Sequence, residues 1–227
     1  MTIHVLTYQK AHKKTYDTLC LLRVRRYNNV VVHATPLLYA KTYKPTIPHR
    51  PDMFYNVPDT AKVCEAFGFE YKQIENYDAI EANGEDPILI CGAGILPKGF
   101  VNSHRIINAH PGYIPYARGL DALKWSLLDN LPVGVSAHFI GDEVDAGEVI
   151  ERRLVDVYPQ DNVLSLGLRV YAEEIDVLVN AIERIDEPHE LISGEGSPVH
   201  KRMPAELEEI MLKQFEKRKK DLLREIS

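Results

Sequence analysis

Short apolar runs alternate along this chain with segments of helical period, and this alternation most constrains its fold. Ile3 to Thr7, Val30 to His33, Glu70 to Ile74 and Ile88 to Cys91 read as strands, with helices from Thr15 to Arg26 and Ala61 to Phe67 between them. Asp59 or Thr60 is placed to cap the second helix and Gly68 to end it. Strands separated by helices pair in parallel, so the pattern predicts an α/β fold. The expected sheet is Rossmann-like, open, twisted and mainly parallel, with helices on both faces.

Further on, Leu120 to Leu128 and Leu164 to Ile185 read as helices, the second capped by Asp161 or Asn162. Val133 to Ile140 and Val149 to Val157 read as strands, and Ser193 to Pro204 as a turn region. Ala205 to Glu225 is predicted to be an amphipathic helix with Leu207, Ile210, Met211 and Phe215 on one stripe. The expected organisation is a main domain over 1–190 and a short helical extension over 191–227, packed on the core or on a partner subunit.

With 227 residues, 45% of them hydrophobic, the chain is long enough for one full core. The net charge of −6 argues against a broad nucleic-acid surface. Cys20, Cys64 and Cys91 form no CxxC pair. No leader-like start and no apolar stretch of bilayer length is evident, so a cytoplasmic location is expected. No metal site is expected, because His104, His110 and His138 lack ligand spacing with any cysteine. Gly92-Ala93-Gly94 lacks the third glycine of a dinucleotide fingerprint, which weakens an NAD reading.

The chemistry concentrates between Ile106 and Gly147. Asn108 and His110 follow an apolar pair, and extended backbone points both side chains to one face. Pro111, Gly112 and Pro115 then force an irregular loop at the strand's carboxyl end, where open α/β sheets bind ligands. Asp145 sits in a second Gly-bounded loop that can fold back toward the first. An amide, an imidazole and a carboxylate together supply an oxyanion donor, a base and an orienting charge for attack of an amine on a carbonyl.

The segment from Leu89 to Glu151 resembles the catalytic core of the formyltransferase family, which moves a formyl group from N10-formyltetrahydrofolate to an amine. The matching residues are Asn108, His110-Pro111, Ile114-Pro115, Arg118-Gly119, Gly134-Val135-Ser136-Ala137-His138, and Asp145 with Gly147. The resemblance implies a formyltransferase fold with Asn108, His110 and Asp145 as the catalytic triad. It implies a folate pocket lined by Gly94, Ile95, Leu96, Pro97, Gly141, Asp142 and Val144. Whether His110 or Asp145 takes the proton stays open at this point.

Within the family, the purine-pathway members carry a Gly-rich phosphate loop after the first strand, where this chain reads Tyr8-Gln9-Lys10-Ala11-His12-Lys13-Lys14. Its short tail, close to charge balance, does not match the basic extension of the initiator-tRNA members. His110-Pro111-Gly112-Tyr113, and Lys201-Arg202-Met203-Pro204 before a helix, resemble the compact sugar N-formyltransferases. These act on nucleotide-linked amino sugars, which implies small-molecule partners, no nucleic acid or membrane, and a homodimer. Tyr113, Arg118, Lys10 and Arg50 are the expected substrate contacts. The Pro-rich connection from Pro36 to Pro58 offers Tyr39, Tyr43, Phe54 and Tyr55 for stacking, and Lys41, Lys44 and Arg50 for a pyrophosphate. A glycinamide ribonucleotide or methionyl-tRNA formyltransferase, and a non-catalytic folate-binding module, are the alternatives.

Overall fold

A computed structural model describes residues 1–37, 45–141 and 144–226. Five strands form the parallel part of one sheet: β1 (Ile3–Tyr8), β2 (Val30–Thr35), β3 (Glu70–Gln73), β4 (Pro87–Ile90) and β5 (Arg105–His110). β6 (Arg118–Gly119) leaves that sheet. β7 (Gly134–Phe139), β8 (Gly147–Leu154) and β9 (Glu190–Ile192) then extend it by antiparallel pairing. The spatial order is β3-β2-β1-β4-β5-β7-β8-β9, so the order reverses between β1 and β4, which is where such sheets open a crevice.

Strand alternation sorts the two faces. Ile3, Val5, Val30, Val32, Ile107 and Ala109 enter the main core, which helices α1 (Lys13–Val24), α2 (Thr60–Phe67), α4 (Ala122–Leu128) and α5 (Val163–Asn180) help to close. Leu6, Ile88 and Ile106 face the other way and pack on Phe100 of α3 (Lys98–Ser103). Helices therefore cover both faces, as the alternating pattern predicts.

Local chemistry sets most boundaries. The Asp59 side chain accepts from Lys62 N and Gly68 ends α2 with φ of +72°, so Asp59 is the cap. Asn162 and Ser165 form a capping box at the start of α5. That helix stops at Asn180, short of the expected Ile185, although Ile182 and Ile185 remain buried in turns. The final helix α6 (Ala205–Ile226) lies on α4 and buries Met211 and Phe215. Its inward stripe takes Glu208, 1% exposed, where Ile210 was expected; Ile210 is 45% exposed. Glu208 is held there by an ion pair with the fully buried Lys124 of α4. The turn region after β9 contains β10 (Val199–His200), which pairs in parallel with β6.

No helix among the described residues is long and apolar enough to cross a membrane.

Candidate active site

Strand β5 runs through His110, so Asn108 and His110 are both held in extended backbone on the Ile106 face. Their neighbours come from antiparallel β7, where Asn108 pairs with His138 and His110 with Ser136. Asp145, with φ of +47°, is carried back over this face by the loop between β7 and β8. Its Oδ1 lies 3.5 Å from Nδ1 of His110 and 3.7 Å from Nε2 of His138. The expected amide and imidazole on β5 and the carboxylate of the β7–β8 loop are thus brought together.

Hydrogen-bond partners decide the proton positions. His110 Nε2 is 2.8 Å from the carbonyl of Ala117, which can only accept, so Nε2 carries a hydrogen. Nδ1 is left facing Asp145, and one proton suffices to join that nitrogen to the carboxylate. The other Asp145 oxygen, Oδ2, accepts from Gly119 N at 2.8 Å. On β7, His138 Nδ1 donates to its own strand's Phe139 carbonyl at 3.0 Å, leaving Nε2 to accept from Asn108 Nδ2 at 3.4 Å. Burial pulls His138 down to about 4, with Asp145 opposing, so the ring is neutral at ordinary pH and can play this acceptor role. His138 belongs to the Gly134–His138 motif, but its part in aiming the Asn108 amide is not visible from sequence.

From beneath, a second network supports β5. The Ile106 carbonyl accepts from Ile140 N, so even-numbered residues of β5 bond to β7 and odd-numbered ones face β4. The β4 ladder ends at the pair Leu89–Ile107, so the next carbonyl on that side, Ala109, is beyond the reach of β4. Lys14 of α1 supplies the donor, with Nζ 3.2 Å from Ala109 O and 2.8 Å from Glu174 Oε1. Glu174 Oε2 in turn accepts from Arg50 at 2.7 Å.

Arg50, one of the expected substrate contacts, is thus anchored at the crevice mouth with its side chain 32% exposed. Lys10 stands 4.6 Å above the ring of Phe54, and His12 packs on the same ring. Tyr113 lies under Arg152 at 5.2 Å. Arg118 corrects the expectation: its side chain is buried among backbone carbonyls, with Nε and Nη2 donating to Val144 O and Nη1 to Gly194 O and Ser197 O. It braces the Asp145 loop and is not placed to meet substrate. Tyr39, Lys41, Tyr43, Lys44 and Asp142 lie outside the described residues.

The expected folate wall is a shelf after β4. Tyr8 packs so tightly on Gly92 that a Cβ there would meet its ring at 2.6 Å, and Tyr8 Oη donates to Ala93 O. Gly94 N donates to Tyr77 Oη at 3.0 Å, and Ile95 is 91% exposed. Leu96 packs on the Ile88–Ile106 cluster, and Pro97 precedes α3 as its cap residue. In the loop after β7, a Cβ at Gly141 would meet nothing within 4 Å among the described residues, and Val144 is exposed. Gly141 also edges a groove of about 670 Å³, but the rest of that groove is walled by residues such as His104, Arg105, Glu148, Asp186 and His189, and it includes neither the shelf nor Asn108, His110 or Asp145. On the shelf itself, open backbone beside the exposed Ile95 suits a flat heterocycle that reads peptide groups.

Comparison with known proteins agrees with this architecture. Residues 57–182 match the Formyl transferase family model, more than half of the chain. The chain belongs to the formyl transferase family. It is 30% identical over 90 residues to the dTDP-4-amino-4,6-dideoxyglucose formyltransferase of Mycobacterium tuberculosis, covering 40% of this chain and 38% of that relative. The fold is similar to that of a 4-N formyltransferase from Francisella tularensis, with a TM-score of 0.62 at 19% identity over 93% of this chain and 86% of the other. It is also similar to an N-formyltransferase from Helicobacter canadensis, solved with folinic acid and dTDP-3-aminofucose. There the TM-score is 0.63 at 13% identity, over 95% and 81% of the two chains.

Proposed function

We propose that this protein transfers a formyl group from N10-formyltetrahydrofolate to the primary amine of a nucleotide-linked amino sugar. The observation that carries the reading is the 3.5 Å approach of Asp145 to His110, beside an Asn108 amide aimed by His138. When bound, the folate supplies an electrophilic formyl carbon. Asn108 has a second amide hydrogen beyond the one given to His138, and it serves the formyl oxygen as that atom gains charge. The 3.5 Å gap between His110 Nδ1 and Asp145 Oδ1 has room for one proton: the pair takes it from the attacking amine and returns it to the departing folate nitrogen, and so ends as it began. Ala117 keeps Nε2 out of this traffic.

The mouth of the crevice supports a nucleotide-linked acceptor. Lys10 stands over the Phe54 ring, on which His12 also packs, and Arg50 is held half-exposed on Glu174, where the Gly-rich loop of the purine enzymes is missing. Such a set suits a pyrophosphate joined to a base. The curated relative from Mycobacterium tuberculosis, named for a dTDP-linked 4-amino sugar, favours the same acceptor class. A homodimer and a cytoplasmic site of action belong to the same proposal.

The test is tetrahydrofolate release from N10-formyltetrahydrofolate with dTDP-, UDP- and GDP-linked amino sugars, and with glycinamide ribonucleotide. Turnover with an amino sugar is expected, with His110→Ala and Asp145→Asn each slower by about 10²–10⁴. Turnover only with glycinamide ribonucleotide would move the acceptor to that class. Folate binding with no acceptor consumed would make the chain a binding module.

A further inference from the structure

We infer that Arg118 is a positioning residue for Asp145, and that Gly194 lacks a side chain so that Arg118 can reach its place. The inference rests on the proposed role of Asp145. Asp145 holds a φ of +47°, a left-handed conformation that aspartate adopts more readily than most residues and that its contacts here select. These contacts come from two adjacent residues of β6. Arg118 places Nε at 2.9 Å and Nη2 at 2.6 Å from the carbonyl of Val144, the peptide group that leads into Asp145. Gly119 N holds the Asp145 carboxylate itself at 2.8 Å.

The far end of the same guanidinium is fixed by the C-terminal turn region. Nη1 donates to Gly194 O at 2.7 Å and to Ser197 O at 3.0 Å. A Cβ on Gly194 would sit 2.0 Å from Nη1 and 2.3 Å from Cζ, so any other residue there pushes the fork away. β10 pairs with β6 next to this point, and Ser197 Oγ donates to the carbonyl of Pro115. One planar, permanently charged side chain thus spans the strand after the His110 loop, the Asp145 loop and the chain's last turn. A lysine has no fork to do so.

The test combines kinetics with amide exchange on Arg118→Met, Gly194→Ala, Asp145→Asn and the Arg118→Met/Asp145→Asn double variant. Arg118→Met is expected to lower kcat by about 10–100-fold with KM for the amino sugar within about threefold, and Gly194→Ala to act in the same direction. In the Asp145→Asn background the Arg118 change is expected to add less than about twofold, because both act through one carboxylate. The Gly119 amide is expected to lose exchange protection while those of Ile106 to Ala109 keep theirs. A full multiplicative loss in the double variant, or a raised amino-sugar KM at parental kcat, would overturn the inference. If Arg118→Met does not fold, Gly194→Ala carries the comparison. Parental activity in Asp145→Asn would sink the proposed chemistry instead, while protection at Gly119 still reports on the brace.

Discussion

Asn108 Nδ2 lies 3.4 Å from Nε2 of His138, across the β5–β7 ladder where the two residues face each other. Because His138 is neutral and its Nδ1 is committed to the Phe139 carbonyl, it offers Asn108 one acceptor in one direction. Replacing His138 with leucine removes that acceptor and lets the amide rotate. We expect kcat to fall by about 10–100-fold, less than the ~10²–10³ for losing the oxyanion donor itself, with folate affinity nearly unchanged. Steady-state kinetics beside calorimetric folate titration check this.

Gly112 follows the His110-Pro111 pair. In this protein a Cβ there would lie 2.4 Å from Ala117 O and 2.6 Å from His110 Nε2, between the two atoms whose bond fixes the imidazole. Gly112→Ala must therefore break that bond or move the loop. Kinetics is expected to show a loss comparable to His110→Ala, while thermal unfolding shifts by only a few degrees, since a ~1 kcal/mol change moves Tm by a few degrees. Near-parental turnover would show that the Ala117 carbonyl does not govern the ring.

Glu174 is buried, and although burial alone would raise its pKa, Arg50 and Lys14 outweigh that and hold it below the usual carboxylate value. Glu174→Gln strands the Lys14 ammonium, 8% exposed, without its counter-charge. Breaking a buried pair from one side costs about 3–5 kcal/mol, whereas removing both charges is much milder. Chemical denaturation is expected to show Lys14→Met/Glu174→Gln more stable than Glu174→Gln alone. The same double variant should remain slow, because the Ala109 carbonyl then lacks its donor and β5 is free to shift.

The order of strands and helices was legible because each carries its own period and caps, as at Asp59 and Gly68 around α2. The grouping of Asn108, His110 and Asp145, proposed as a triad, could be suggested from sequence because these residue types recur in a known pattern, although their meeting depends on a fold. Other features depend on long-range contact and leave little local trace. β6 and β10 are two residues each, too short for alternation to register. α3 follows Pro97 and was not expected, since its one buried residue is Phe100. Glu208 reads as a surface charge until Lys124, 84 residues away, is beside it. Arg118 matched the family pattern but not its expected use, because only the folded chain brings Val144, Gly194 and Ser197 around it.

Burial also predicts how the protein responds to acid. His12, His33, His49 and His138 are each pulled from 6.5 down to about 4, in every case first by loss of hydration. Between pH 6.5 and about 4 the unfolded chain therefore binds protons that the native chain refuses. Stability attributable to these groups is complete above 6.5 and is lost as pH falls through that window, at about 1.4 kcal/mol per pH unit for each histidine. His33 isolates the effect from the proposed active site, since it lies on β2, pairs with His4 at 2.9 Å, and has a buried Nδ1 with no hydrogen-bond partner among the described residues. Urea unfolding is expected to show a midpoint falling steadily from pH 7 to pH 5, and His33→Gln is expected to flatten that slope by about one proton. A midpoint that stays level over the same range would mean that the native state charges these rings as readily as the unfolded chain does.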